Sequence, residues 1–442
     1  MRSRRKEQDQ TSSSTLPNSF SLVKDMIERK LDIVVIGGGA AGLAAAISAR
    51  EEGIDSVIVL ERGDTLGGIL PQCIHTGFGL HYLKQNLTGP EYVDRFIKRM
   101  HSLGIEFKLN TMVLDLNSEK DVLAINQTDG PIRFKARTVV LATGCRERSR
   151  GAIGIPGTRP AGILTAGAAQ RFMDVEGYLP GKKVLILGSG DIGLIMARRF
   201  VMEGAEVKGV VEIMPYPGGL DRNLQCLRDF GIPLYLRHAV TFIHGNDRVE
   251  AATVSEIDRF RRPIGQGRTI EVDAIVLSVG LIPENELSKR AGVRLDPRTG
   301  GPRVDENLET SVPGIFVCGN ALHVHDLVDH VTSDGMSAGR SAARKVQGEL
   351  PRLRNKIHLR PGRNVRYVVP QIISGEMPLT LYCRVKRPAY DIMVNIGKGF
   401  TARRRVAKPP ETLAIDLTSD GLGKLGDERE VAVDVTGHGR MD

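Results

Sequence analysis

The sequence predicts an α/β chain with two Rossmann-like units and a smaller, β-rich C-terminal domain. Three observations predict it. At 442 residues the chain is too long for one ordinary hydrophobic core, so two or three domains are expected. A strand, a glycine loop and a helix occur twice in the same order, the second copy beginning at Gly188 where the first begins at Gly37. From about Asn364 the apolar residues alternate with polar ones, as in antiparallel strands.

The first twenty residues (MRSRRKEQDQTSSSTLPNSF) are polar and charged and have no apolar h-region, so residues 1–30 read as a disordered tail, not a signal peptide. No apolar run approaches the roughly 20 residues needed to span a bilayer. Five cysteines (Cys73, Cys145, Cys226, Cys318, Cys383) are scattered without ligand or disulfide spacing. A reducing, cytoplasmic setting is expected, with peripheral membrane association left open.

Leu22 to Arg29 is a short amphipathic stretch, and Asp32–Ile36 reads as a buried parallel strand. A helix follows over Ala40–Glu52, then a strand over Ser56–Leu60. Residues 88–104 read as a helix with Tyr92, Phe96, Ile97 and Met100 on one face, and Thr138–Ala142 as a strand. The second unit runs through a strand at Lys183–Leu187, a helix from Ile192 to Glu203 and strands at Glu206–Glu212 and Asp273–Val279. A strand at Gly314–Val317 and a helix at Ser333–Val346 come next. Beyond them Leu379 to Val385, Ile392 to Ile396 and Leu413 to Leu417 alternate in β fashion.

Gly37-Gly38-Gly39-Ala40-Ala41-Gly42 places G-x-G-x-x-G between a strand and a helix. Gly37 suits the tight turn, Gly39 close approach of a pyrophosphate, and Gly42 helix–strand packing. The helix N-terminus would meet the phosphates with free N–H groups. Glu61, nineteen residues after Gly42, is placed to accept from a ribose diol, with Arg62 beside it. Gly188-Ser189-Gly190-Asp191-Ile192-Gly193 repeats the pattern, with Glu212 nineteen residues after Gly193. An acid there favours a free 2′-hydroxyl, so NAD(H) is expected over NADP(H). A glycine turn that merely joins strand to helix is the alternative, and the second site could be empty or hold another adenine nucleotide.

Thr138-Val-Val-Leu-Ala142-Thr143-Gly144 and Thr310-Ser-Val-Pro-Gly-Ile-Phe-Val-Cys-Gly319-Asn320 resemble the ATG and GD signatures of the pyridine nucleotide–disulfide oxidoreductase superfamily, over roughly residues 30–350. The resemblance implies FAD in a discontinuous domain (31–150 and 281–350), NAD(H) in an inserted domain (151–280) reaching Gly280, and a basic β-rich domain over 351–442. It implies that Gly37, Gly39, Gly42 and Glu61 bind the ADP half of FAD and that Asn320 contacts its ribityl chain or phosphate. A helix beginning near Ser333-Asp334-Gly335 would face the flavin C2 carbonyl. Asn320 replaces the usual Asp. No redox cysteine pair follows Gly67-Gly68, so disulfide reductase activity is not expected.

Gly68-Ile-Leu-Pro-Gln-Cys73-Ile-His75-Thr-Gly-Phe-Gly79, Leu87 to Tyr92 and Leu322-His323-Val-His325-Asp326-Leu-Val-Asp329 resemble the FAD/NAD oxidoreductase companion of anaerobic-type glycerol-3-phosphate or 2-hydroxyglutarate dehydrogenases. They resemble, more distantly, flavoprotein subunits of heteromeric proline and opine dehydrogenases. Two partners are implied, NADH and a dehydrogenase or electron-acceptor subunit.

Cys73 and His75 are catalytic candidates beside the flavin; Cys73 tunes it, forms a sulfenic acid, or packs as a small hydrophobe. His323 and His325, with Asp326, Asp329 and His330, read as flavin hydrogen bonding or proton relay, or as plain loop or interface structure. Their spacing matches no common hydrolase metal motif, and no metal is expected. Cys145 and Cys318 read as packing residues. Arg146, Glu147 and Arg148 border the domain junction or form a solvated hinge.

The formal charge is +9, and Pro351–Pro410 holds fourteen Lys or Arg against Glu376 and Asp391. Aromatics are sparse and no nucleic-acid motif occurs, so a solvated basic face or a docking surface for an acidic subunit is expected, not DNA or RNA binding. The function expected is an NADH-linked flavoprotein serving as the electron-transfer subunit for a small hydroxy or phosphorylated substrate. The alternatives are a stand-alone NADH oxidase or peroxidase using Cys73, and a non-catalytic flavin-binding assembly subunit.

Overall fold

The computed structural model describes residues 26–438 except 354, 398, 424, 426 and 427. The expected tail lies outside the described residues up to position 25. Its last residues do not: the first strand runs Ile27–Ile36, five residues earlier than the Asp32 start read from apolar content. The exposed Ile27–Lys30 half pairs with Ile132–Lys135, so pairing rather than burial extends it.

The first sheet has the order Glu106–Lys108, Val57–Leu60, Ile27–Ile36, Gly130–Leu141, Asp121–Asn126, Met112–Leu116. Ile315–Val317 returns to pair in parallel with Val139–Leu141, nearly 180 residues later in sequence, beside the glycine turn. The helices Ala40–Glu51 and Val328–Gln347 lie in backbone contact. A Cβ on Gly335 would stand 2.2 Å from the Ala41 carbonyl oxygen, and one on Gly339 2.1 Å from that of Ala45. Ser48 Oγ also donates to the Met336 carbonyl at 2.8 Å. The helix Gly89–Ser102 starts at a capping box in which Thr88 and Glu91 satisfy each other's backbone N–H, and it buries Tyr92, Phe96 and Met100.

Five parallel strands form the second sheet, in the order Ile163–Thr165, Ala274–Leu277, Lys183–Leu187, Glu206–Glu212, Leu234–Leu236. An antiparallel layer (His238–Gly245, Val249–Glu256, Arg268–Glu271), not evident from alternation, covers one side. The chain enters this unit along Cys145–Glu147 and leaves along Leu281–Pro283. These two segments pair with each other, and Arg146 bridges Glu284 and Glu286.

The C-terminal part is two β layers around one core. A five-stranded sheet carries Glu430–His438 at its centre, and a three-stranded sheet carries Leu379–Val385. Phe400–Ala407, with Arg403, Arg404 and Arg405 exposed, forms an edge of the larger sheet. The mixed α/β architecture is the one expected. No helix among the described residues is long and apolar enough to cross a membrane.

Candidate cofactor sites

The first glycine turn is fixed by backbone contacts. Gly37 has φ +107°, and a Cβ there would stand 2.4 Å from the Ala142 carbonyl oxygen; one on Gly42 would stand 1.8 Å from that of Gly37. Only glycine fits at either position. Gly39 differs, since its Cβ would meet nothing nearer than Gly68 Cα at 3.8 Å. It opens the helix as an uncapped N-cap, so the N–H groups around Ala40 and Ala41 have no side-chain partner. This is an anion cradle, and it fits the pyrophosphate of a dinucleotide.

Glu61 is buried at the end of its strand and already accepts from two N–H groups at 2.7 Å, Gly38 to Oε2 and Gly63 to Oε1. Each oxygen keeps a second lone pair, so a ribose diol can still be bound. Arg62 is exposed beside it. At the strand end Thr143 Oγ1 donates to the Glu284 carbonyl and Gly144 turns at φ +70°.

The second turn repeats the first in more than the glycines. A Cβ on Gly188 (φ +91°) would stand 2.1 Å from the Ser278 carbonyl oxygen, and one on Gly193 2.5 Å from that of Gly188; Gly190 is open. Glu212 Oε2 accepts from Ser189 N–H and Oγ, and Oε1 from Met214 N–H. A further repeat lies outside the glycine motifs: Glu61 is followed after five residues by Gly67-Gly68, and Glu212 after five residues by Gly218-Gly219. Each glycine pair folds back on its own turn. Gly67 N–H donates to the Gly38 carbonyl at 2.8 Å, and Gly218 N–H to Ser189 Oγ at 2.7 Å.

The two cradles differ in charge. No acid stands in the first turn of the helix from Ala40, whereas Asp191 opens the other helix and accepts from Leu220 N–H (2.8 Å) and Asn223 Nδ2 (2.6 Å). Asp191 thus lies at the anion end of the helix dipole, tethering the loop rather than meeting phosphate. Ile192 is half-buried in the same turn. Gly280 lies exposed at the crossover with φ +101°, its carbonyl accepting from Arg148 N–H.

Cys73 is a packed thiol. It is buried, its Sγ lies 3.4 Å from the Ile69 carbonyl, and burial pushes its pKa up to about 12. A thiolate nucleophile needs the opposite environment, so this burial favours the packing reading of Cys73. His75 packs on Phe78, with Nδ1 3.1 Å from the Thr76 carbonyl. Gln72 beside them donates to the Gly167 carbonyl, so this segment abuts the inserted unit.

His323 and His325 sit elsewhere, their ring centroids 3.9 Å apart. Among the described residues no hydrogen bond or ring contact joins them to Cys73 or His75. Tyr382 of the C-terminal sheets touches the rings of His323, His325 and His330, and Arg384 pairs with Asp326, which also accepts from Thr412 N–H. Both histidines are closed in by this joint, and burial, then His325 beside it, drives the His323 pKa well down. The rings join the loop after Ile315–Val317 to the C-terminal sheets.

Asp334 Oδ2 stands 2.8 Å from His325 Nε2, so His323, His325 and Asp334 make a possible ligand group that the loop's own spacing could not reveal, since Asp334 lies on the following helix. That helix begins at Val328, not near Ser333, with Asp329 in its first turn accepting from His81 and Tyr82 N–H. Ser333-Asp334-Gly335 is therefore one turn inside it and offers no free N-terminus. Gly319 turns at φ +62°. Asn320 Oδ1 accepts from His325 N–H and its Nδ2 lies 3.6 Å from Cys145 Sγ, so its amide is engaged within the protein. All five cysteines are free thiols.

Comparison with known proteins gives the chain a family. A family model described as pyridine nucleotide-disulphide oxidoreductase matches residues 31–340. The chain is 26% identical over 321 residues to an opine oxidase subunit of Agrobacterium tumefaciens, covering 66% of this chain and 61% of that protein's length. It is 25% identical over 334 residues to thioredoxin reductase of Listeria monocytogenes, covering 72% and 95%. The crystal structure of T. acidophilum thioredoxin reductase superposes with a TM-score of 0.59 at 25% identity, covering 71% and 98%.

Proposed function

The chain belongs to the pyridine nucleotide-disulphide oxidoreductase family, FAD- and NAD(P)H-dependent oxidoreductases, and from that premise we propose an NAD(H)-linked flavoprotein. It serves as the electron-transfer subunit of a complex that oxidises a small hydroxy or phosphorylated substrate. The observation that carries the reading is the pair of matching glycine cradles, each closed by an acid and a Gly-Gly loop, with every cysteine unpaired.

Bound FAD would supply the chemistry, its isoalloxazine exchanging hydride with a nicotinamide. The chain's residues do the positioning. Gly37, Gly39 and Gly42 let the backbone approach a pyrophosphate, the N–H groups around Ala40 and Ala41 face its charge, and Glu61 takes the ribose. Glu212 plays that part for the second nucleotide, and its carboxylate disfavours a 2′-phosphate, which supports NADH over NADPH. The partner subunit is supported by relatives that are subunits by name, such as the one from opine oxidase. The glycerol-3-phosphate or 2-hydroxyglutarate dehydrogenase companion is the finer form of the proposal.

One observation favours a second reading, an assembly subunit with an unused second site: Asp191 puts a carboxylate at the N-terminus of the helix that would face a second nucleotide's phosphates. Anaerobic NADH titration of the FAD-loaded protein decides between them. Stoichiometric bleaching of the flavin supports the electron-transfer reading, and an unbleached flavin leaves the assembly reading.

A further inference from the structure

One donor atom each from His323, His325 and Asp334 lies within 4.8 Å of the other two. All three side chains are buried, and among the described residues His323 Nε2 has no hydrogen-bond partner. Leaving a buried polar atom unsatisfied is costly, so His323 Nε2 calls for a partner carried by the folded protein. His325 is wholly screened from solvent, and Tyr367 and Tyr382 close over His323.

We propose that His323, His325 and Asp334 hold a divalent transition-metal ion of the zinc class. Two borderline imidazole nitrogens beside one carboxylate suit zinc and its neighbours, and two nitrogens among three donors are poor for magnesium or calcium. His325 Nε2 and Asp334 Oδ2 are hydrogen-bonded at 2.8 Å, and a tetrahedral ion with bonds of about 2.0–2.2 Å would part them to about 3.3 Å. The Tyr367 hydroxyl, 3.5 Å from His323 Nδ1, is placed to orient that ring with Nε2 toward the ion. His323 and His325 come from the loop after Ile315–Val317, Asp334 from the long helix, and Tyr367 from the C-terminal sheets, so the ion pins the joint between them. Its part is structural.

The test uses the full-length, FAD-loaded chain, stripped with chelator and dialysed against zinc, with metal and FAD counted in the same sample. About one zinc per chain is expected. Uptake should fall roughly tenfold or more in His323→Ala and Asp334→Asn. It should persist in His330→Ala, whose ring lies 6.2 Å from that of His325 but outside the donor group. Should His323→Ala fail to fold, His323→Gln keeps the volume and is expected to lose zinc equally. Wild type that stays zinc-free overturns the proposal, as does uptake that survives both ligand substitutions. Zinc uptake by a chain that takes no FAD would uphold it while overturning the flavoprotein reading.

Discussion

Gly42 lies so close beneath Gly37 that a methyl group on the first would stand 1.8 Å from the carbonyl oxygen of the second. Both atoms belong to rigid backbone, so neither can yield. Gly42→Ala is expected to cost about 1–3 kcal/mol or more and to abolish FAD retention, measured by denaturant midpoint and by flavin absorbance after gel filtration.

Gly39→Ala separates binding from stability. Its added methyl meets only Gly68 Cα, at 3.8 Å. Stability should change by less than about 1 kcal/mol, while FAD loading falls sharply because the methyl occupies the path of the pyrophosphate. A variant that folds and stays fully yellow would move the dinucleotide elsewhere.

Asp191→Asn removes a negative charge from a helix N-terminus while keeping an oxygen for Leu220 N–H and Asn223. NADH affinity should rise by roughly 0.3–1 kcal/mol, about two- to fivefold, in anaerobic titration. Unchanged affinity would place the phosphates away from this turn.

The buried thiols make the fold sensitive to alkali. Burial raises Cys73 and Cys383 to about 12 and Cys145 to about 11. A group raised in the folded state contributes stability fully below its unfolded value, near 9.0, and loses it as pH climbs through the folded value. Urea midpoints should therefore hold to about pH 9 and fall progressively from there through about pH 12. Over the neutral range Cys73 should resist alkylation, and Cys73→Ala should leave NADH oxidation within about twofold.

Tyr382→Ala removes the ring that contacts His323, His325 and His330. A loss of about 3–5 kcal/mol is expected, concentrated in the C-terminal sheets, with hydrogen exchange there accelerating before the first sheet responds.

Legibility in the sequence follows distance along the chain. Gly37 to Glu61 and Gly188 to Glu212 can be read because strand, turn, helix and acid are local. The start of the long helix is hidden because its N-cap, Leu327, carries no capping side chain, so nothing marks Val328. Phe400–Ala407 is hidden because three consecutive arginines break the alternation. The ring of tyrosines around His323 and His325 joins residues 44 to 59 positions apart, beyond any periodic signal.

The contact of Gly335 with Ala41 and of Gly339 with Ala45 has a mechanical consequence. Two rods touching backbone to backbone cannot slide or spread when neighbouring side chains change, so the span from the first glycine turn to the loop carrying His325 behaves as a gauge block. Drift elsewhere in the core would leave that length untouched. A single methyl group at the seam would rescale it.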